Sequence, residues 1–206
     1  MRRKEFTVEE DNEIYEFLQE MSIGFLGTAQ EDGWSRVTPL NFAYDRSFFY
    51  FHGSIAGEKM RQMARNDKVS FTVAKEYAVI PSYFTDPHLA CPASTFFKSV
   101  MVQGRVERVE NLEEKAYALT LLMNKLQPEG GYEPILPSDP AYAGQLKAVA
   151  VCRIVPETLT AKFKFGQNLN ESKFSEVLIG LQARNRELDP DTIYQMKKYC
   201  PFHREK

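Results

Sequence analysis

The sequence predicts an α+β fold in which an antiparallel sheet of six or more strands closes into a small barrel, with peripheral helices and a helical C-terminal extension. The predicted strands are joined mostly by short turns or by single helices, and the helices do not alternate strictly with the strands. No Gly-x-Gly-x-x-Gly follows the first predicted strand, and no Walker-type Gly-Lys-Ser/Thr occurs. Doubly wound dinucleotide-binding and P-loop folds therefore lack their usual sequence support.

The N-terminal part predicts a helix and then a meander of strands. Thr7 and Glu10 have the spacing of a capping box, so a helix is expected to start there. Ile23–Ala29 predicts a strand, and the Asp32-Gly33 pair predicts a hairpin to the next strand, Trp34–Tyr44. Pro39 removes a ladder donor from that second strand, which predicts an edge, a bulge or a change of pairing partner.

The middle of the chain continues with strands separated by one helix. Phe48–Phe51 is an aromatic run typical of a half-buried strand, and a helical pattern begins after Gly57. Lys68–Ala74 predicts the strand that follows this helix. Prolines at 81, 87 and 92 predict an irregular connection.

The second half predicts long strands and then helices. Phe96–Val109 alternates as a strand, Asn111 is a helix cap, and Lys147–Val155 predicts a central strand. Thr158–Phe165 predicts a separate, weaker strand. The tail is expected to be helical, with starts at Asn170 and at Asp189-Pro190.

The bulk composition excludes several classes of partner. The 206 residues are 43% hydrophobic and 26% charged, as in an ordinary globular protein. A net charge of -2 gives no general attraction to nucleic acid or to anionic membranes, and no stretch approaches a membrane span. Three scattered cysteines do not form a disulfide framework, and no secretory signal is evident, so a cytoplasmic protein is expected.

The segment from Arg36 to Lys59 carries the strongest local signal of function. Ser54 and Gly57 loosen the backbone before the predicted helix, and Lys59 falls in the first turn of that helix. Helix N-termini with free N–H groups and a nearby cation bind anions, which predicts a phosphate-sized site. The alternative is that Lys59 is an ordinary solvated lysine.

The histidines and cysteines offer weaker signals. His52 could touch a ligand or bind a metal, or it could have a purely structural role. Two short pairs have the spacing of metal ligands: His88 with Cys91, and Cys200 with His203. Neither is a Cys-x-x-Cys pair and such short motifs are weakly specific, so no metal site is predicted.

Four segments carry a family resemblance through their order and spacing: Ile23–Asp45, Phe48–Phe71, Phe96–Leu119 and Ala161–Leu181. Together they resemble the flavin mononucleotide (FMN)-binding split barrels related to pyridoxamine 5'-phosphate oxidase, especially the nitroimidazole-reductase-like branch. The resemblance implies a homodimer of six-stranded antiparallel split β-barrels with the flavin in a groove between subunits. It implies an FMN-binding domain over residues 1–166 and a helical extension over 167–206, packed on the barrel or on the partner subunit.

The resemblance also implies a set of flavin contacts. The matching positions are Arg36, Val37, Thr38, Pro39, Asn41, His52, Gly53, Ser54, Lys59, Lys98 and Ser99. Arg36 and Lys59 match the phosphate contacts, and residues 52–54 match the turn beside the phosphate. Residues 37–41 match the strand that passes the flavin ring, and residues 98 and 99 match a strand position that reaches the flavin.

Two departures from the family pattern bear on the reaction. Glu58 stands where the true oxidases carry the first of two adjacent cations, and no Trp follows Trp34, whereas the oxidases end in a Trp- and Arg-containing segment. Pyridoxamine phosphate oxidation is therefore not expected. The resemblance implies instead an FMN-dependent oxidoreductase that passes electrons from a nicotinamide donor, NAD(P)H, to a small planar acceptor such as a nitroaromatic or a quinone.

Two alternatives remain open from the sequence. Related split barrels bind haem, and His52 or His88 could then be an axial ligand. The chain could also be a non-enzymatic sensor or storage protein for flavin.

Overall fold

The protein is described by a computed structural model that covers residues 3–202. Its strands are β1 (Thr7–Val8), β2 (Ile23–Ala29), β3 (Ser35–Asn41), β4 (Ala43–Tyr44), β5 (Phe49–Ser54), β6 (Lys68–Ile80), β7 (Ser94–Val109) and β8 (Val149–Lys164). Its α-helices are α1 (Asp11–Glu20), α2 (Glu58–Arg65), α3 (Leu112–Leu126), α4 (Pro140–Ala148), α5 (Glu171–Arg184) and α6 (Asp189–Lys198), with short 3-10 helices at Lys4–Phe6 and Ser82–Phe84.

One sheet contains all eight strands, in the order β3-β2-β6-β7-β8-β5-β4, with β1 paired to β8. β3 and β4 stand at the two ends of this order, yet Phe42 alone separates them in the chain. The order therefore closes on itself, as the strands of a barrel do. The predicted α+β split barrel is confirmed. Six strands have six or more residues, and the two additional strands, β1 and β4, have two residues each.

The chain forms two compact units, each assembled from separate segments. The barrel unit comprises Glu10–Val73 and Val100–Leu159, and the tail unit comprises, among the described residues, 3–9, Ala74–Ser99 and 160–202. Strands β6, β7 and β8 each run through both units. The division expected from the resemblance, at residue 166, stays a prediction.

Aromatic side chains form the centre of the barrel unit. The ring of Phe71 lies 5.2 Å from the ring of Phe42 and 5.5 Å from that of Phe49, and all three side chains are buried. A Cβ on Gly24 would lie 2.1 Å from Cζ of Phe71. Gly24 is therefore required because the Phe71 ring occupies the space of its side chain.

Lys125 of α3 packs its ammonium group against this aromatic core. The Lys125 ammonium lies 3.8 Å from the centre of the Phe42 ring and donates hydrogen bonds to the carbonyls of Leu18 (2.7 Å) and Phe42 (3.2 Å). Burial lowers the pKa of Lys125 to about 8. It therefore joins the end of α1 to the junction between β3 and β4.

The tail unit depends on an ion pair between its two helices. Arg184 of α5 makes a two-point contact with the carboxylate of Asp189 at the start of α6, at 2.6 and 2.9 Å. Asp189 is 1% exposed, and its second partner is the N–H of Arg186. The predicted starts of both helices are confirmed, since Asn170 caps α5 by accepting from the N–H of Lys173.

Three local predictions were wrong. Thr7 does not cap a helix, because its backbone pairs with Lys162 in the sheet and α1 begins only at Asp11. The two strands predicted from 147 to 165 form one continuous strand, β8, preceded by the unpredicted helix α4. The strand predicted over Trp34–Tyr44 is divided at Phe42, where pairing passes from β2 to β5.

Candidate functional site

The candidate site begins on β3, which lies at one end of the sheet order and, within residues 3–202, pairs only with β2. Thr28 stands opposite Arg36 in this pairing, and Gly27 stands opposite Val37. The side chains of Val37, Pro39 and Asn41 are exposed, while those of Arg36 and Thr38 are half-buried on the other face. Edge strands leave one row of N–H and C=O groups unpaired, so β3 can present backbone to a ligand.

The register of β3 brings Arg36 to the N-terminus of α2. The Arg36 guanidinium forms an ion pair with the carboxylate of Glu58, the first residue of that helix. Both side chains keep 40% or more of their surface exposed. In the sequence Glu58 is only a departure from the family pattern, and nothing there predicts its ion pair with Arg36.

Lys59 lies against the turn that ends β5. Its ammonium is 3.4 Å from the carbonyl oxygen of His52, and a Cβ on Gly53 would lie 2.8 Å from Cε of Lys59. Gly53 therefore leaves the space through which the lysine crosses the turn. Burial lowers the pKa of the Lys59 ammonium, and the nearby Cys152 raises it by a smaller amount.

The backbone of this turn leaves the first N–H groups of α2 without a side-chain partner. Gly57 occupies the N-cap position and makes no side-chain hydrogen bond. The turn before it is closed by the N–H of Gly57, which donates to the carbonyl of Ser54 at 3.0 Å. Ser54 is exposed at the same turn. N–H groups at a helix start bind anions when no cap satisfies them.

Two sulfur-containing side chains pack near Lys59, and the sequence did not predict this contact. Sγ of Cys152 on β8 lies 3.7 Å from Sδ of Met60 on α2. Cys152 pairs with Phe51 of β5, so it lies under the turn. Burial raises the pKa of the Cys152 thiol to about 11, although Lys59 opposes the shift. Cys152 is thus a protonated packing group rather than a nucleophile.

His52 is exposed and its imidazole is neutral at pH 7. Partial burial of the ring lowers its pKa, and the positive charge of Lys59 lowers it further. The role of His52 as a catalytic group stays a prediction.

The remaining predicted contacts fall elsewhere. Lys98 and Ser99 lie on the part of β7 that belongs to the tail unit, where the Lys98 ammonium is 4.9 Å from the centre of the Phe163 ring. Among residues 3–202, no three His, Cys, Asp or Glu side chains gather in a way that could hold a metal ion. His88, Cys91 and Cys200 lie in this range, but His203 is outside the described residues. Within the same range, every helix is too short or too polar to cross a bilayer.

Fold and site define a split-barrel protein in which two cations flank an uncapped helix start. The family profile described as pyridoxamine 5'-phosphate oxidase matches residues 10–163. This match covers more than half of the chain, and the chain therefore belongs to the pyridoxamine 5'-phosphate oxidase family.

Solved structures show similar folds. A protein from Bacteroides thetaiotaomicron, described as a candidate 5-nitroimidazole antibiotic resistance protein, is 26% identical, with 76% of this chain and 85% of that chain covered and a TM-score of 0.60. The flavocytochrome Anf3 from Azotobacter vinelandii is 22% identical, with 85% and 77% covered and a TM-score of 0.68. A FAD- and haem-binding protein from Mycobacterium smegmatis is 14% identical, with 78% and 74% covered and a TM-score of 0.64. The last two similarities concern the fold alone. No curated protein sequence gives a significant match.

Proposed function

We propose that the chain binds FMN at the turn between β5 and α2, which Arg36 and Lys59 flank and which we call the Arg36–Lys59 turn. The chain would then pass electrons from a nicotinamide donor to a small planar acceptor, such as a nitroaromatic or a quinone. The observation that carries the proposal is the placement of Arg36 and Lys59 beside the uncapped start of α2. The chain would then be an FMN-dependent oxidoreductase and not a pyridoxamine phosphate oxidase.

The donor groups of the turn fit the phosphate of FMN. Arg36, Lys59 and the hydroxyl of Ser54 supply three side-chain donors, and the first N–H groups of α2 add backbone donors. Each charge-assisted hydrogen bond contributes about 1.5–3 kcal/mol, so two or three would anchor a mononucleotide. The unpaired edge of β3 from Val37 to Asn41 would meet the polar edge of the ring.

The protein's part in the reaction is to bind and orient. FMN supplies the hydride and electron transfer chemistry when bound. The turn would hold the phosphate, the free edge of β3 would face the ring, and neutral His52 would add no charge beside the cofactor. Cys152 stays protonated below about pH 11, so its thiol near Lys59 is uncharged at neutral pH.

The description of the B. thetaiotaomicron protein supports a nitroaromatic acceptor, because its identity with this chain is the highest of the three. The two haem-containing neighbours support haem as the alternative prosthetic group, with His52 as the axial ligand to test. The non-enzymatic alternative differs only in lacking reduction by a nicotinamide.

We also propose a homodimer, as an extension of the same function. Ile23, Phe25 and Val37 are 47%, 44% and 62% exposed and lie on one face of the β2–β3 pair. Apolar patches on a protein surface often mark interaction sites, and a second copy of this chain would cover this one. A monomeric mass by light scattering at micromolar concentration would contradict this part. A cytoplasmic location belongs to the proposal as well.

Absorbance spectra of the purified chain test the cofactor directly. A visible flavin band before or after reconstitution with FMN is expected, whereas a Soret band on adding haem, lost in His52→Ala, would favour haem. Anaerobic addition of NADH or NADPH should then bleach the flavin band, and a nitroaromatic acceptor should restore it. A colourless protein after reconstitution would refute flavin binding, and a flavin band that neither nicotinamide bleaches would support a sensor or storage role.

A further inference from the structure

The tail unit contains a cavity that the proposed flavin turn does not use. Its volume is about 500 Å³, within the range of small-molecule sites. The buried side chains of Phe6, Ile80, Phe96 and Val177 form apolar parts of its lining, each 3% exposed or less. A ligand in this cavity therefore needs an apolar, ring-sized body.

Four cations line the same cavity: Arg3, Lys162, Lys164 and Lys173. The pairing of Thr7 with Lys162 holds the N-terminal segment on β8, which brings Arg3 and Phe6 over the lysines of that strand. Lys173 lies in the first turn of α5, so the positive end of the helix dipole adds to the charge.

The charge of these groups is only partly offset. Glu5 lies 3.8 Å from Arg3, and Asp86 interacts with Lys173, although its pKa is lowered mainly by the N–H groups of Leu89 and His88. Burial lowers the pKa of Lys164, and the positive charges of Lys162 and Arg3 lower it further. Lys164 contacts the hydroxyl of Ser94, a neutral partner. No carboxylate lines the cavity among the described residues.

We propose that this cavity binds a small organic anion, in which an apolar ring lies on the buried phenylalanines and a phosphate or carboxylate lies among the four cations. The inference does not depend on flavin binding, because the cavity and the Arg36–Lys59 turn share no residue. It assigns a role to Lys162 and Lys164, which are not among the flavin contacts that the family resemblance implies.

Calorimetric titration of the full chain with 1-naphthyl phosphate tests the proposal, with and without saturating FMN. One site per chain is expected with saturating FMN, whereas without FMN the open Arg36–Lys59 turn adds a second phosphate site. Lys162→Met and Lys164→Met should each weaken binding about tenfold, the loss expected for one charge-assisted contact. Lys173→Met changes an exposed side chain and should weaken binding about threefold without affecting the fold. Lys197→Met, on the exposed face of α6 outside the cavity, is the matched control and should leave the affinity unchanged.

Ligand controls separate charge from hydrophobic contact. 1-Naphthol should bind at least tenfold more weakly than 1-naphthyl phosphate, and 1-naphthoate should bind measurably. Equal binding of 1-naphthol, or equal affinity of all lysine variants, would overturn the proposal. Loss of 1-naphthyl phosphate binding when FMN is present would also overturn it, because the cavity would then belong to the flavin site.

Discussion

Glu58 offers the sharpest test of the proposed phosphate site. Its carboxylate pairs with Arg36 at the start of α2, where a phosphate would also lie. We therefore expect Glu58→Gln to strengthen FMN binding, because it frees the guanidinium and removes a negative charge next to the ligand. The fold should tolerate the change, since an exposed ion pair contributes at most about 1 kcal/mol to stability.

The magnitude follows from two effects. Releasing Arg36 from Glu58 removes a competing interaction of about 0.5 kcal/mol, the middle of the range for exposed pairs. A carboxylate and a doubly charged phosphate about 6 Å apart in water repel by about 1.4 kcal/mol, and salt at physiological strength reduces this to about 0.7 kcal/mol. The sum is about 1–2 kcal/mol, so the Kd for FMN should fall about 5- to 30-fold.

Fluorescence titration of flavin against the purified variant measures this change. Riboflavin lacks the phosphate, and its Kd should not change in Glu58→Gln. Glu31→Gln is the matched protein control, because Glu31 also pairs with an α2 arginine, Arg65, at 3.0 Å, but on a separate exposed turn. An unchanged or higher Kd for FMN in Glu58→Gln, or an equal gain for riboflavin, would refute the placement of the phosphate at this turn.

Three further predictions concern the fold. Gly104→Ala should lower the free energy of unfolding in urea by about 2–3 kcal/mol, because the new Cβ would lie 2.2 Å from the carbonyl oxygen of Val155. Gly144→Ala, inside α4 with open space around it, should raise the same quantity by about 0.5–1 kcal/mol. Asp189→Asn should lower the free energy of unfolding by about 3–5 kcal/mol at pH 7, because it removes the carboxylate that pairs with Arg184. This loss of stability should become smaller as the pH falls through the lowered pKa of Asp189. Between pH 8 and 10.5 Lys125 keeps its proton in the unfolded chain but has lost it in the folded chain. The free energy of unfolding of the wild type, relative to that of Lys125→Met, should therefore rise by about 1–2 kcal/mol over this range after discounting for solvent screening. A difference in unfolding free energy that does not change with pH would contradict this prediction.

Elements with local chemical signals were predictable from the sequence. Asn111 and Asn170 cap helices with their own side chains, and the Asp32-Gly33 turn joins β2 to β3, as their residue types indicate. Thr7 has an equally good local signal, yet it lies in a strand. Its backbone finds a partner in Lys162, far away in the chain, and such long-range pairing overrides a local cap.

The site was predictable only where it is local. Residues 52–59 form the expected turn and helix start because glycines and helix periodicity specify them. The pairing of Arg36 with Glu58 depends on strand register, which the sequence of the turn does not contain. The same limit applies to the cationic cavity, since Arg3 and Lys164 come together only through the pairing of β1 with β8.

The position of Arg36 follows from two contacts of Thr28 rather than from the turn itself. The hydroxyl of Thr28 donates to Oε1 of Gln62 at 2.9 Å, which fixes α2 against β2. Arg36 stands opposite Thr28 in the β2–β3 pairing, so the same contact sets its distance from the helix start. A slip of one residue in that register would turn Arg36 to the opposite face, away from Lys59 and the start of α2. The proposed phosphate binding would therefore depend on the register of the edge strand, and the closed strand order, in which Phe42 joins β3 to β4, holds that register in place.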